Sequence, residues 1–126
     1  LSYKLDNGNS GVQIRSIVHD DFRITGYQAD IAVKRYTGIL YDEGRRGIIA
    51  DVKPAVVSKF IKKGDWNDYR IVCKGPEIKL WINGQPTISY TEKKASIPAK
   101  GVIAFQLHRG PPMKVYFKDV KIKELK

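Results

Sequence analysis

The chain has 126 residues, 42% of them apolar and 29% charged, which suits one globular domain and excludes disorder throughout. Lysine and arginine number 23 against 13 acidic residues, a formal net charge of +10 that directs attention to anionic partners. No apolar run approaches the ~20 residues of a membrane-spanning helix, and a single cysteine, Cys73, excludes an internal disulfide and a cysteine zinc cluster.

In chain order, short apolar and β-branched runs alternate with glycine, proline, asparagine and aspartate. Gly11–Ser16 and Tyr27–Val33 alternate with period two, as half-buried strands do. Gly38–Tyr41, Asp68–Lys74, Glu77–Ile82, Thr87–Tyr90, Val102–His108, Lys114–Phe117 and Val120–Lys123 follow as further strands. Only the stretch around Val56–Lys63 suits a helical turn. Asn83-Gly84 between two runs is the preferred pair for a type I′ hairpin, so Glu77–Ile82 pairs antiparallel with Gln85–Tyr90, and Pro86 puts the second strand near a sheet edge. Nine short strands and frequent turns indicate an all-β sandwich or barrel. No internal repeat or linker divides residues 1–126, which read as one domain.

The positive charge is spread along the chain, +4 over residues 1–63 and +6 over residues 64–126, with its densest pairs beside glycine or in polar stretches. That distribution favours solvated loops over a nucleic-acid groove. Cys73, in a strand-like run, reads as a small buried residue and not as a nucleophile. His19 reads as a surface residue of a polar turn.

Alternation also assigns faces. Ile78, Leu80, Ile103, Phe105 and Leu107 are expected in the core. Gln13 and Arg15, Gln28 and Asp30, Gln106 and His108, and Trp81 then project from the opposite faces of their strands. Read singly, each has an ordinary surface role. Together, amides, a carboxylate, a guanidinium, an imidazole and an indole suit a hydroxyl-rich ligand.

The runs Gly8-Asn-Ser-Gly-Val-Gln-Ile-Arg15, Gly26-Tyr-Gln-Ala-Asp30 and Thr37-Gly-Ile-Leu-Tyr41 resemble segments of the 3-keto-disaccharide hydrolase domain family. So do Gly64–Gly75 through Leu80-Trp-Ile-Asn-Gly84, Gly101–His108 and Val115–Leu125, in the same order and over almost the whole chain. The resemblance implies a concanavalin A-like jelly-roll sandwich of two antiparallel sheets, a ligand cleft on the concave sheet, and a periplasmic or extracellular envelope setting. It also implies further N-terminal strands before Leu1, either cut away from these residues or absent from a shortened form whose sandwich is completed by self-association or by a partner chain. No signal peptide is read in these residues, and opening at Leu1 fits a start after a removed or truncated segment.

The activity implied is cleavage of glycosides already oxidised to a ketone at sugar carbon 3. A base removes the acidified hydrogen at carbon 2, the aglycone leaves carbon 1, and water adds to the enone. Such chemistry requires a base and an enolate stabiliser, not the paired carboxylates of common glycosidases. His108 is the expected base or metal ligand; Asp30 orients it, acts as base itself or ligates a cation; Arg15 holds the enolate. Gln13, Gln28 and Gln106 are expected on sugar hydroxyls, Tyr41 on the leaving oxygen and Trp81 on a ring face. No cofactor is fixed by these residues, and a divalent cation stays open. Two alternatives stand beside this reading: a non-catalytic carbohydrate-binding sandwich, and a basic module for acidic polysaccharide or nucleic acid.

Overall fold

Alternating apolar and polar residues, cut by glycine and proline, build ten strands and one helical turn. The structure, a computed structural model, describes residues 1–126. In chain order the elements are β1 (Ser2–Leu5), β2 (Asn9–Val18), β3 (Ile24–Ala32), β4 (Leu40–Glu43), β5 (Gly47–Ala50), α1 (Pro54–Val57), β6 (Asn67–Lys74), β7 (Glu77–Ile82), β8 (Gln85–Thr91), β9 (Val102–Leu107) and β10 (Val115–Lys118). They form two antiparallel sheets, ordered β10-β1-β6-β7-β8 and β5-β4-β3-β2-β9, the sandwich that the strand pattern indicates.

The inward faces pack against each other. Ile78, Leu80 and Ile82 of β7, Ala29 and Ile31 of β3, and Leu40 of β4 expose no surface, and each large aliphatic so buried contributes roughly 1.5–3 kcal/mol. Tyr69 of β6 spans the layers, its hydroxyl donating to the Asp30 carbonyl at 3.3 Å. At the β7–β8 turn, Asn83 (φ 50°) and Gly84 (φ 77°) both adopt the left-handed conformation a type I′ turn requires. β8, carrying Pro86, lies at the sheet edge as expected.

One end of the sandwich is held by charge. Asp42, fully buried, accepts hydrogen bonds from Arg45 (2.7 Å) and Arg46. Arg46 reaches on to Glu92 (2.8 Å), which also accepts from the Tyr27 (2.7 Å) and Tyr90 (3.1 Å) hydroxyls. The Arg46 guanidinium, helped by the two phenols, holds the Glu92 carboxyl well below the usual carboxylate range. The β4–β5 turn of one sheet is thereby tied to the end of β8 in the other.

Several expectations are corrected. Ile103, Phe105 and Leu107 are not core residues: they are 50%, 44% and 69% exposed. Phe105 does face inward, opposite Val12 and stacked on Phe117 of β10 with ring centroids 4.2 Å apart. But β9 and β10 are the outermost strands of their sheets, so no further strand covers the end of the layer. Val120–Lys123 alternates like a strand yet pairs with nothing and is not one. The helical turn starts earlier than expected, at Pro54, and β1 and β5, four residues each, are additional. Cys73 is half-buried on β6 opposite Ile78, and burial raises its thiol pKa.

Candidate functional site

The outward face of the β5-β4-β3-β2-β9 sheet is where polar side chains converge. In antiparallel sheets, directly opposed residues point the same way. The register sets Gln13 opposite Gln28, which faces Tyr41, and Gly11 opposite both Asp30 and Gln106; Glu43 faces Gly26. Gln13, Gln28, Asp30, Tyr41, Glu43 and Gln106 therefore share one surface.

A bulge in β2 decides which residue joins them. Between Ile14 and Ile17 the pairing with β3 shifts, and Arg15 turns left-handed at φ 48°. Ser16 takes the outward position in its place. Its hydroxyl donates to Gln13 Oε1 at 2.6 Å, and Gln13 Nε2 donates to Gln28 Oε1 at 2.7 Å. Gln28 Nε2 then donates to Asp30 Oδ1 and to Gln106 Oε1, the latter at 3.1 Å. Gln13, Gln28 and Asp30, tied to one another by these bonds, are only 3%, 2% and 3% exposed although their face is outward, and the Gln28 side chain lies over Gly11. Gly11 permits this: a Cβ there would stand 2.6 Å from Gln28 Cγ and 2.7 Å from its Cδ.

The network has two open ends, the Gln106 amide NH2 and Asp30 Oδ2, which no protein group pairs. Burial, reinforced by the nearby Glu43 charge and opposed by the Gln28 hydrogen bond, pushes the Asp30 carboxyl up to about 7. Burial likewise raises the Tyr41 phenol, with the Glu43 and Asp30 charges adding to it, so it stays a proton donor at neutral pH. A cleft of about 260 Å³ lies on this face, walled by Gln13, Ile24, Glu43, Phe105 and Gln106. An acceptor–donor pair beside such a cleft can bind vicinal hydroxyls, and a carboxylate poised near neutrality can take up a proton and give it back.

Three expected site residues stand elsewhere. Arg15 is swung by the bulge onto the other sheet, where Nη1 donates to the Gly75 carbonyl at 2.7 Å. Trp81 points outward, as the alternation requires, but from the opposite sheet, with the Arg70 guanidinium 5.3 Å from its ring. His108 lies just past β9, exposed, with Nδ1 on the Arg109 carbonyl at 2.6 Å. Two inter-strand spacings across the sheet and two residues along it separate it from Asp30, roughly 12 Å at ordinary sheet dimensions. The convergence of Arg15, Asp30 and His108 in one cleft is thus not found. No group of three His, Cys, Asp or Glu side chains gathers in a way that could hold a metal.

Glu43, Ile24, Ser16 and Gly11 belong to the site beyond the residues read from sequence. Glu43 had a signal, two positions beyond Tyr41. Ser16 had none, because only the bulge brings it outward.

No curated protein matches the chain. The model of the family described as the 3-keto-alpha-glucoside-1,2-lyase-like domain matches residues 1–123, which include every strand of the sandwich and every residue of the outward network. The chain belongs to that family.

Proposed function

We propose that the outward face of the β5-β4-β3-β2-β9 sheet binds a 3-keto-glucoside and eliminates its aglycone across carbons 1 and 2. The observation that carries this reading is the directed network on this face, which ends at Asp30 and at Gln106, the latter walling the cleft. The family description, a 1,2-lyase acting on a 3-keto-alpha-glucoside, supplies the substrate class.

The ketone at carbon 3 acidifies the hydrogen at carbon 2. Asp30 Oδ2 takes that proton, and the C2–H pair moves into the enolate, whose oxygen the Gln106 NH2 stabilises. The enolate re-forms the ketone as the C1–O bond breaks. The aglycone oxygen leaves with the proton Tyr41 donates, and a conjugated enone remains. Water adds at carbon 1 and gives its proton to the Tyr41 phenolate, and Asp30 returns its proton to carbon 2. A carboxylate near 7 is a far better base for this than one at 4 while still being half ionised at neutral pH. Ser16 and Gln13 act through Gln28 and position it.

This assignment moves the base from His108 to Asp30. With methyl 3-keto-α-glucoside as substrate, Asp30→Asn lowers turnover by roughly 10²–10⁴-fold, whereas His108→Ala changes it less than tenfold. Sugar binding with no turnover by the unaltered chain is the outcome of a non-catalytic carbohydrate module. Full loss in His108→Ala, with Asp30→Asn active, reverses the assignment.

A further inference from the structure

The outward face that carries the network is polar over only part of its length. Opposed residues in the register point the same way, and alternation along β3 continues the face of Gln28 through Gly26 to Ile24. Ile24 stands opposite Val18, and Val102 of β9 opposite Ser16. Beyond Ser16 and Gly26, towards the β2–β3 hairpin, this face therefore turns apolar. Val18 is 49% exposed, Val102 40%, and Ile24 is half-buried.

The hairpin tip adds Phe22, 87% exposed. Its amide donates to the His19 carbonyl at 2.8 Å, and its φ is 63°. That left-handed position favours glycine or asparagine, so neither burial nor backbone preference selects a phenylalanine there. Polar side chains beside it are paired locally: His19 Nε2 with Thr25 Oγ1 at 2.8 Å, and Arg23 Nε with Asp21 at 2.7 Å.

Position indicates what the apolar stretch meets. Ile24 belongs to it and also walls the cleft, so the two are continuous. Tyr41 stands opposite Gln28, one step of the alternation nearer the hairpin than Asp30. An aglycone whose oxygen takes the Tyr41 proton therefore extends from the sugar towards the hairpin. From Gln28 to Ile24 is four residues, about 13 Å of strand, more than a single ring spans. Gly26 lies between them and keeps that floor low, because a Cβ there would strike Ser16. A second sugar laid along it would set hydroxyls against Val18 and Ile24 without partners, a costly desolvation. Given the roles of Asp30 and Tyr41 in the reaction above, we propose that Val18, Ile24 and Val102, with Phe22 at the outer end, form the aglycone subsite, and that the substrate is the 3-keto-glucoside of an extended aromatic phenol.

The probes are phenyl and 4-biphenylyl 3-keto-α-glucoside. Their phenols are of nearly equal acidity, so the second ring changes contact and not the ease of departure. For the full chain, KM for the biphenylyl substrate is at least tenfold lower, the scale of an added apolar group in a site, with kcat alike for the two. Phe22→Gly reduces that advantage below threefold, and its melting temperature is unchanged or raised, since glycine suits the left-handed position. Val18→Ser with Val102→Ser reduces the advantage likewise. Turnover of both substrates with equal KM overturns the aglycone subsite and leaves the role of Asp30 standing, as does an advantage undiminished in both variants. Turnover of neither substrate overturns that role, and the subsite with it.

Discussion

Gly11 has no side chain, and the Gln28 amide lies where one would be. That contact gives a prediction at the scale of one residue. Gly11→Ala requires no unusual backbone, because Gly11 is not among the positive-φ glycines, but the new methyl displaces Gln28 and uncouples Asp30 from Gln106. Turnover of a 3-keto-glucoside is expected to fall at least tenfold, while circular dichroism and the sandwich stay intact; wild-type turnover in Gly11→Ala removes the network from the account. Single residues were legible to the extent that alternation rules them. Gln13, Gln28 and Gln106 were read as sharing a face, and they do. Arg15 was read with them and does not, because one residue of bulge at φ 48° exchanges it for Ser16, and no periodic argument contains an irregularity.

At the scale of the strand, period two tells which residues face away from the core and not which sheet the strand joins. Trp81 and Gln28 both face outward, but from β7 and β3, and the two outward faces of a sandwich look in opposite directions. Burial depends on position in the sheet as well. Leu80, on β7 between two neighbours, is fully buried, whereas Leu107, on terminal β9, is 69% exposed. Leu80→Ala is therefore expected to cost about 2–5 kcal/mol in urea denaturation, and Leu107→Ala under about 0.5 kcal/mol, as surface substitutions do. Equal losses would mean that β9 is covered in solution. The hairpin, by contrast, was fully readable, because Asn83-Gly84 specifies its geometry locally without help from the rest of the fold.

For the molecule as a whole, one buried carboxyl and one half-buried carboxyl set opposite limbs of the stability curve. Asp30 keeps its proton up to about pH 7 when folded but releases it near 4 when unfolded, so between these values the native state holds more protons. Stability falls as pH rises through that window, with a slope of up to about 1.4 kcal/mol per unit, and is flat above it. Glu92 is depressed instead; its contribution is present above its unfolded pKa and is lost as the solution becomes more acid. Urea midpoints at pH 4.5, 6 and 8 are expected to decline for the unaltered chain and to stay level for Asp30→Asn; identical profiles would mean that Asp30 is charged throughout. Stability and activity then run oppositely, since the base works only once the destabilising charge is present. Asp30 is one of several candidates in sequence because its near-neutral pKa comes from burial in the folded sheet, which no local pattern discloses. The most direct test of its role is proton exchange at carbon 2 of methyl 3-keto-α-glucoside in D2O, followed by NMR. The unaltered chain is expected to incorporate deuterium there with a rate rising through about pH 7, and Asp30→Asn to show none; exchange by Asp30→Asn at the unaltered rate would contradict the account.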